Sequence, residues 1–363
     1  MPRIHNFYAG PAALPLEALE AARDEMLDFR NSGVSVMETS HRSKEYDAVH
    51  NEAGQLFSEL LGLGGNFKVL FLQGGASLQF AMIPMNLLSS DQSADYILTG
   101  AWSQKAIKEA KLFGTARIAG TTEADGVFNS IPTADQLDLD PHAQYCHLTS
   151  NNTIFGTQWR TFPDTGNVPL VADMSSDILS RSFDPSPFGI IYAGAQKNIG
   201  PAGVAVVAIR DDVLEKCKKD GVPTMLSYHT HADKNSLFNT PPCFTIYMVN
   251  KVFNWLKNKG GIPAIEKENA AKADLIYGCI DNSGGYYTCP VEKQSRSWMN
   301  VVFRLPSEDL EKKFVADGLA AGFVGLKGHR SVGGVRVSIY NANGLDSVKD
   351  VVNFMTDFVA KNG

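Results

Sequence analysis

Apolar positions along the chain keep two different rhythms. Leu16, Leu19, Arg23, Met26, Leu27 and Arg30 trace an amphipathic helical period, which predicts a helix over 16–31 stopped by Gly33. Tyr46, Val49, Ala53, Leu56, Phe57 and Leu60 repeat that period over 45–61. The pattern then changes to short continuous apolar runs at 68–72, 96–99, 116–119, 145–149, 169–172, 190–193 and 204–209. Continuous runs, rather than alternating ones, suit parallel strands covered on both faces. Helical patterns intervene at 78–88 and 103–113, with Pro84 interrupting the first. Strands alternating with helices predict an α/β fold built on a mostly parallel seven-stranded sheet.

Beyond about residue 245 the character shifts. Residues 244–257 and 264–280 read as two helices broken by Gly260, Gly261 and Pro263. A strand (299–303), a helix (308–321), a strand (335–339) and a final helix (347–361) follow. In that last helix Val348, Val351, Val352, Met355, Phe358 and Val359 form one apolar stripe. The expected organisation is a large α/β domain over 16–260 and a smaller α+β domain from 1–15 and 261–363.

Composition narrows the function. A chain of 363 residues is long enough for about two domains and needs no disulfide or metal to hold a core. Its net charge of −6 argues against general nucleic-acid binding, which needs a basic face. The charge also disfavours an anionic substrate unless cations are gathered locally. Cys146, Cys217, Cys243, Cys279 and Cys289 are scattered, without a CxxC pair, so neither a zinc site nor a disulfide framework is expected. No long apolar stretch opens the chain, and the longest apolar run is 204–209. A cytoplasmic location fits these features.

The common fingerprints are missing: no G-x-G-x-x-G follows the first strands, and no P-loop, HExxH or GxSxG occurs. The chemistry is instead distributed. Gln73-Gly74-Gly75-Ala76-Ser77 follows a strand and opens a helix, a place where backbone N–H groups can cradle an anion or simply make a tight turn. Asp173 ends an apolar strand, where α/β sheets bind ligands, although the same position suits a helix N-cap. Lys197 also lies just past a strand, between small residues and Gly200-Pro201. Trp102 follows another strand and could stack on a flat ring or pack in the core. A lysine for an aldehyde, a carboxylate for a pyridinium nitrogen, an anion cradle and an aromatic platform together meet the needs of pyridoxal 5′-phosphate.

An ordered set of motifs spanning essentially the whole chain then carries a family resemblance. They are Asn6-Phe7-Tyr8-Ala9-Gly10-Pro11-Ala12, Ser40-His41-Arg42-Ser43-Lys44-Glu45, and Gly74-Gly75-Ala76-Ser77-Leu78-Gln79-Phe80. Further on come 149–158 (from Thr149 to Gln158), Ala193-Gly194-Ala195-Gln196-Lys197-Asn198, and 328–341 (from Gly328 to Asn341). The sequence resembles the phosphoserine aminotransferase family, within the class V, fold-type I enzymes dependent on pyridoxal phosphate.

The resemblance implies the following. Lys197 carries the cofactor as a Schiff base and, once released, shuttles a proton between Cα and C4′. Asp173 pairs with the pyridinium nitrogen, Trp102 stacks on the ring, and Thr153 meets its polar edge. Gly75, Ala76, Ser77 and Gln196 hold the phosphate. Asn239 and Thr240 reach the cofactor phosphate of a neighbouring subunit, making a homodimer with shared sites. Arg336 clamps the α-carboxylate of the substrate, and His41, Arg42, His329 and Arg330 receive its distal phosphate or carboxylate. The reaction would interconvert O-phospho-L-serine and 2-oxoglutarate with 3-phosphohydroxypyruvate and L-glutamate; relatives in bacteria also accept 4-phosphohydroxy-L-threonine. Ala9 stands where some members have serine, and Ser77 where some have arginine.

Rival readings are weaker. A cysteine desulfurase needs a nucleophilic cysteine on a late loop, and no cysteine follows Cys289. A nicotinamide-dependent oxidoreductase lacks its glycine fingerprint. Another class V aminotransferase of small amino acids is the nearest alternative, and a non-catalytic binder of pyridoxal phosphate is a third.

Overall fold

The computed structural model describes residues 3–363. A short strand β1 (His5–Asn6) and the helices α1 (Leu16–Asp24) and α2 (Lys44–Leu61) come first. The apolar runs follow as β2 (Phe67–Leu72), β3 (Ser93–Leu98), β4 (Thr115–Thr121), β5 (Cys146–Thr149), β6 (Leu170–Asp173), β7 (Phe188–Gly194) and β8 (Ala205–Arg210). Helix α3 (Gly75–Leu87) connects β2 to β3, and α4 (Ala101–Ala110) connects β3 to β4. The seven strands form one sheet in the order β2-β8-β7-β6-β5-β3-β4.

Both faces of this sheet are covered, which is why its strands are apolar without alternation. Leu148, Ala172, Ile191 and Val206 point to one side, against Phe57 of α2 and Val249 and Phe253 of the later helix α5 (Cys243–Asn258). Their neighbours Tyr96, Val171, Tyr192 and Val207 point to the other, against Phe80 and Ile83 of α3 and Ile107 of α4. β8 is antiparallel to both β7 and β2, whereas the remaining pairs are parallel. An apolar run carries no sign of strand direction, so this reversal was invisible in the hydropathy pattern.

The chain continues through α6 (Gly261–Asp281), β9 (Asn300–Phe303), α7 (Glu308–Ala320), β10 (Phe323–Val324), β11 (Val335–Ser338) and α8 (Leu345–Asn362). β9 and β11 pair antiparallel. They pack with Ile276, Phe314, Val348, Val351 and Met355 into a separate apolar cluster, which Phe7 joins from the N-terminus. Parallel pairing of β1 with β10 holds the N-terminal segment there.

Two helix boundaries differ from the sequence pattern. The first helix ends at Asp24, and only a turn of 3₁₀ helix (Phe29–Asn31) follows. Asp28 Oδ1 accepts from Gly33 N at 2.8 Å, and Arg30 and Asn31 take positive φ, so local side-chain bonding replaces the continuing helix. At the other site, Pro263 does not interrupt: α6 begins at Gly261 and places Pro263 in its first turn, where an N–H would have no helical acceptor. Pro84 lies inside α3, which remains continuous through Leu87.

Candidate active site

The residues singled out above converge at the C-terminal ends of the parallel strands, the ligand-binding edge of an open α/β sheet. Asp173 closes β6. Lys197 stands three residues past β7, Thr153 follows β5, Trp102 lies in the first turn of α4 after β3, and Gly75 to Ser77 open α3 after β2.

Asp173 is 5% exposed. Its Oδ1 accepts from Ser175 N at 2.9 Å and Ser175 Oγ at 2.6 Å, and Ser175 Oγ accepts in turn from Gly194 N at 3.0 Å. These bonds orient the carboxylate and leave Oδ2 without a partner among the described residues. Burial pushes the Asp173 carboxyl above the ordinary range, while Lys197 and the two Ser175 bonds pull it back.

Lys197 is set by a tight turn in which Ala195 N donates to Val204 O at 2.9 Å and Gly200 N to Ala195 O at 2.9 Å. A Cβ at Gly200 would strike Val249 Cγ2 at 2.6 Å, so glycine is required for the turn to sit on α5. The N-terminal segment crosses above: Ala12 N donates to Gln196 O at 2.9 Å, and a Cβ at Gly10 would lie 3.1 Å from Lys197 Cγ. The ammonium donates to Thr153 Oγ1 at 2.8 Å and stands 5.4 Å from the Trp102 ring centroid. The lysine is half-buried. Loss of hydration lowers it to about 8; Asp173 opposes that shift and Arg336 adds to it.

Gly74 caps α3 in the left-handed region (φ 85°), and a Cβ there would meet Leu78 Cδ2 at 2.5 Å. The first amides of α3, those of Gly75, Ala76 and Ser77, lie in the turn where a helix has no internal acceptors, and the helix dipole adds about 0.3–1 kcal/mol for an anion. Gln196 folds its side-chain amide beside Gly194 at the same strand end. Thr240 O accepts from Gln73 Nε2 at 3.1 Å, so the loop with Asn239 and Thr240 lies against the residue that precedes this cradle.

Arg336 enters from β11. Its Nη1 donates to Thr153 O at 3.1 Å, so Thr153 touches Lys197 through its hydroxyl and Arg336 through its backbone. Arg336 Nε and Trp102 Nε1 are buried with no hydrogen-bond partner among the described residues. His329 and Arg330 stand on the loop before β11. His329 Nδ1 pairs with Ser331 Oγ at 2.7 Å, and burial, followed by Arg336, Arg330 and Lys105, lowers the imidazole from its ordinary value. His41 and Arg42 are the exception. His41 is half-buried with an unpartnered Nε2 and Arg42 is exposed, and no contact among the described residues links either to Lys197 or Arg336.

The donor set fits pyridoxal phosphate: a lysine poised near neutrality, a buried carboxylate with one free oxygen, a row of unpaired amides, and an indole face nearby. The family model of class V aminotransferases matches residues 4–351. The chain belongs to the class V aminotransferases. It is 57% identical to the phosphoserine aminotransferase of Lysinibacillus sphaericus over 360 residues, 99% of each chain. The solved phosphoserine aminotransferase of Bacillus circulans subsp. alkalophilus superposes with a TM-score of 0.97 at 54% identity, covering 99% of each chain. That of Trichomonas vaginalis, solved with pyridoxal phosphate bound, superposes at 0.93 and 40% identity, covering 98% of this chain and 100% of the other.

This aminotransferase site contains residues that the sequence reading passed over. Ser175 orients Asp173, and the Asp-x-Ser spacing of a side-chain turn was a usable signal. Lys105, one turn after Trp102, places Nζ 4.4 Å from the indole centroid, and its i+3 spacing was also legible. Tyr340 had no local signal. Its hydroxyl donates to Ala9 O at 2.7 Å and accepts from Asn300 Nδ2 at 3.1 Å, joining three distant segments.

Proposed function

We propose that this class V enzyme is a phosphoserine aminotransferase. It exchanges the amino group between O-phospho-L-serine and 2-oxoglutarate, giving 3-phosphohydroxypyruvate and L-glutamate in serine biosynthesis. The observation that carries the reading is the placement of Arg336 and the His329-Arg330 loop around the Lys197–Asp173 pair. Both substrates join an α-carboxylate to a distal anion, and two separated cationic groups answer that shape. Full-length identity to phosphoserine aminotransferases supports the same substrate pair.

Pyridoxal phosphate, when bound, supplies an aldehyde that accepts the amino group and a ring that withdraws electrons from the neighbouring carbon. The protein does the rest. Lys197 Nζ is the attachment point and, near neutrality, the base that removes the proton from the substrate Cα and returns it one carbon away. Asp173 Oδ2 would hold the proton on the ring nitrogen, while Ser175 keeps Oδ1 occupied and the carboxylate oriented. The amides of Gly75, Ala76 and Ser77, with Gln196, receive the phosphate. Trp102 offers its face to the ring. Thr153 gives its hydroxyl to the ring edge and fixes Arg336 through its carbonyl. With Nη1 so committed, the unpartnered Nε edge of Arg336 binds the α-carboxylate in a fork. His329 is neutral at pH 7 and donates from Nε2, while Arg330 carries charge to the distal anion.

His41, Arg42, Asn239 and Thr240 act across a homodimer, where each protomer completes its partner's site. Met37 and Phe238, 63% and 45% exposed, lie four residues before His41 and one before Asn239 and favour burial against a second copy. The residues 16–260 and the remainder act as the two domains that bring Arg336 to Lys197. All five cysteines are free thiols and no helix of the described residues is long and apolar enough to cross a membrane, and we place the enzyme in the cytoplasm.

The test is glutamate formation by the purified, cofactor-loaded protein from O-phospho-L-serine, run beside L-serine and L-alanine. Preference for phosphoserine by orders of magnitude is expected. Equal or better use of alanine would assign the chain to another class V activity.

A further inference from the structure

Outside the residues already assigned, one ion pair, with a buried carboxylate and a half-exposed guanidinium, touches the substrate loop directly. The loop from Lys327 to Gly334 carries His329 and Arg330, and β11 with Arg336 follows it. Its own bonds make it tight: Gly328 N donates to Gly334 O at 2.9 Å, and Val332 N and Gly333 N donate to His329 O at 3.0 and 2.8 Å. A Cβ at Gly328 would run into the Gly333 carbonyl, and Gly333 and Gly334 sit at φ 70° and 72°. The loop is therefore folded on itself by glycines, but those contacts alone do not fix where the folded loop sits.

Two residues from outside the loop fix that position. Arg304, just past β9, donates from Nη1 to Val332 O at 2.7 Å and from Nε to Glu311 Oε1 at 2.6 Å. Glu311, in the first turns of α7 and only 7% exposed, uses Oε2 to accept from Gly334 N at 3.2 Å, and its Oε1 also faces Leu305 N at 3.4 Å. Gly333 and Gly334 lie directly on the Arg304 side chain: a Cβ at Gly333 would be 3.2 Å from Nη1, and one at Gly334 2.8 Å from Cδ. The remainder of that side of the loop faces an open cavity of ≈ 720 Å³, lined by Arg304, Glu311, Leu319, Val332, His329 and Arg330. With space behind it, the loop is not held by packing. It is pinned through two backbone bonds, one from each member of the pair.

We propose that Arg304 and Glu311 are positioning residues for the distal-anion end of the substrate: the pair clamps Val332 and Gly334, and so sets where His329 presents its donor and Arg330 its charge. The inference rests on the reading above that this loop receives the distal anion. Neither residue touches substrate or cofactor. The placement of Glu311 has a plain energetic logic, because a buried carboxylate persists only with a charged partner and further donors, and here those donors are the loop itself. Releasing the clamp lets the loop sag toward the cavity, and a charge displaced by about 1 Å loses most of a directed contact.

The test uses Glu311→Gln, which keeps shape but turns the Arg304-facing acceptor into an amide, and Arg304→Lys, which keeps charge but loses the fork to Val332 O. Two readouts are needed. In the cofactor-free proteins, hydrogen exchange of the peptide spanning 327–335 is expected to quicken at least about tenfold, with the segments around Lys197 and Asp173 unchanged. In the loaded enzymes, kcat/KM for O-phospho-L-serine and L-glutamate is expected to fall about tenfold or more, mostly through KM. Single-turnover amino transfer from L-alanine, which has no distal anion, keeps its wild-type rate. A merely structural role would slow alanine equally, and that result overturns the proposal, as does unchanged exchange in both variants. His329→Ala and Arg330→Ala serve as controls. If they too leave the phosphoserine-to-alanine ratio intact, the reading of the loop fails; if they collapse it while both clamp variants do not, only the clamp fails.

Discussion

The Lys197 ammonium donates to the Thr153 hydroxyl at 2.8 Å, while the carbonyl of that same threonine accepts from Arg336. Thr153 thus stands between the lysine proposed to attach the cofactor and the arginine proposed to orient the substrate. The arrangement explains how Arg336, which arrives from a strand outside the seven-stranded sheet, is registered against a lysine inside it. Thr153→Ala keeps the carbonyl bond and removes the hydroxyl. It is expected to lower kcat by about tenfold while leaving KM for phosphoserine within about twofold, since only a net hydrogen bond to a charged group is lost. A large rise in KM with intact kcat would contradict this division of roles.

Replacing Lys197 by alanine removes both the proposed attachment point and the proposed proton carrier. Multiple turnover is expected to disappear, by at least about 10⁴-fold for loss of a general acid–base group and a covalent nucleophile together. Pyridoxal phosphate should remain exchangeable by dialysis, and borohydride should fix none to the chain. Covalent fixation in the alanine variant would identify a different lysine as the attachment site.

Burial lowers Lys197 to about 8, so its neutral form dominates above that pH. Capture of pyridoxal phosphate by the cofactor-free protein needs the neutral amine. The capture rate should therefore rise with pH and level off above about 8, more than two units below an ordinary lysine. Arg336→Leu removes a charge that lowers the lysine and should move the midpoint up; Asp173→Asn removes one that raises it and should move the midpoint down. A midpoint near 10.5 in the wild-type protein would refute the depressed value.

Asp173→Asn retains an oxygen for Ser175 but loses the negative charge at Oδ2. Cofactor binding should persist, and kcat should fall by about 10²–10³, the usual cost of removing one preorganised electrostatic partner. Visible absorption together with turnover separates the two effects. Full activity with a normal spectrum would remove Asp173 from the mechanism.

Lys272 shows how α6 is locked to the segment that follows β11. Its side chain is fully buried, and Nζ donates to Ile339 O and Tyr340 O at 3.0 Å each and to Asn343 O at 2.8 Å. These carbonyls lie at the end of β11, a few residues beyond Arg336. Lys272→Met fits the volume but leaves the Ile339 and Asn343 carbonyls without their donor, while Tyr340 O keeps Asn343 N at 2.9 Å, a cost of about 2 kcal/mol or more. A Tm lower by several degrees, with KM raised for both amino donors, is the expected result. An unchanged Tm would show that the three bonds contribute nothing net.

Much of this was written into local sequence. Seven continuous apolar runs specified seven strands because a strand buried on both faces cannot afford polar positions on either. Gly74-Gly75 before a helix and Asp173 and Lys197 after strands were readable as site residues, since strand ends in an open sheet are where side chains escape the core. Local sequence also carried information that went unused, as in the Ser175 turn and the Trp102–Lys105 spacing. What no local pattern could supply was direction and distance. The reversal of β8, the seat of Tyr340 against Ala9, and the Arg304–Glu311 grip on Val332 and Gly334 join residues far apart in the chain. Hydrophobic period reports how each segment buries itself, and it is blind to which segment it meets. Only tertiary packing brought Thr153 between Lys197 and Arg336, and with that contact the separate motifs became one site.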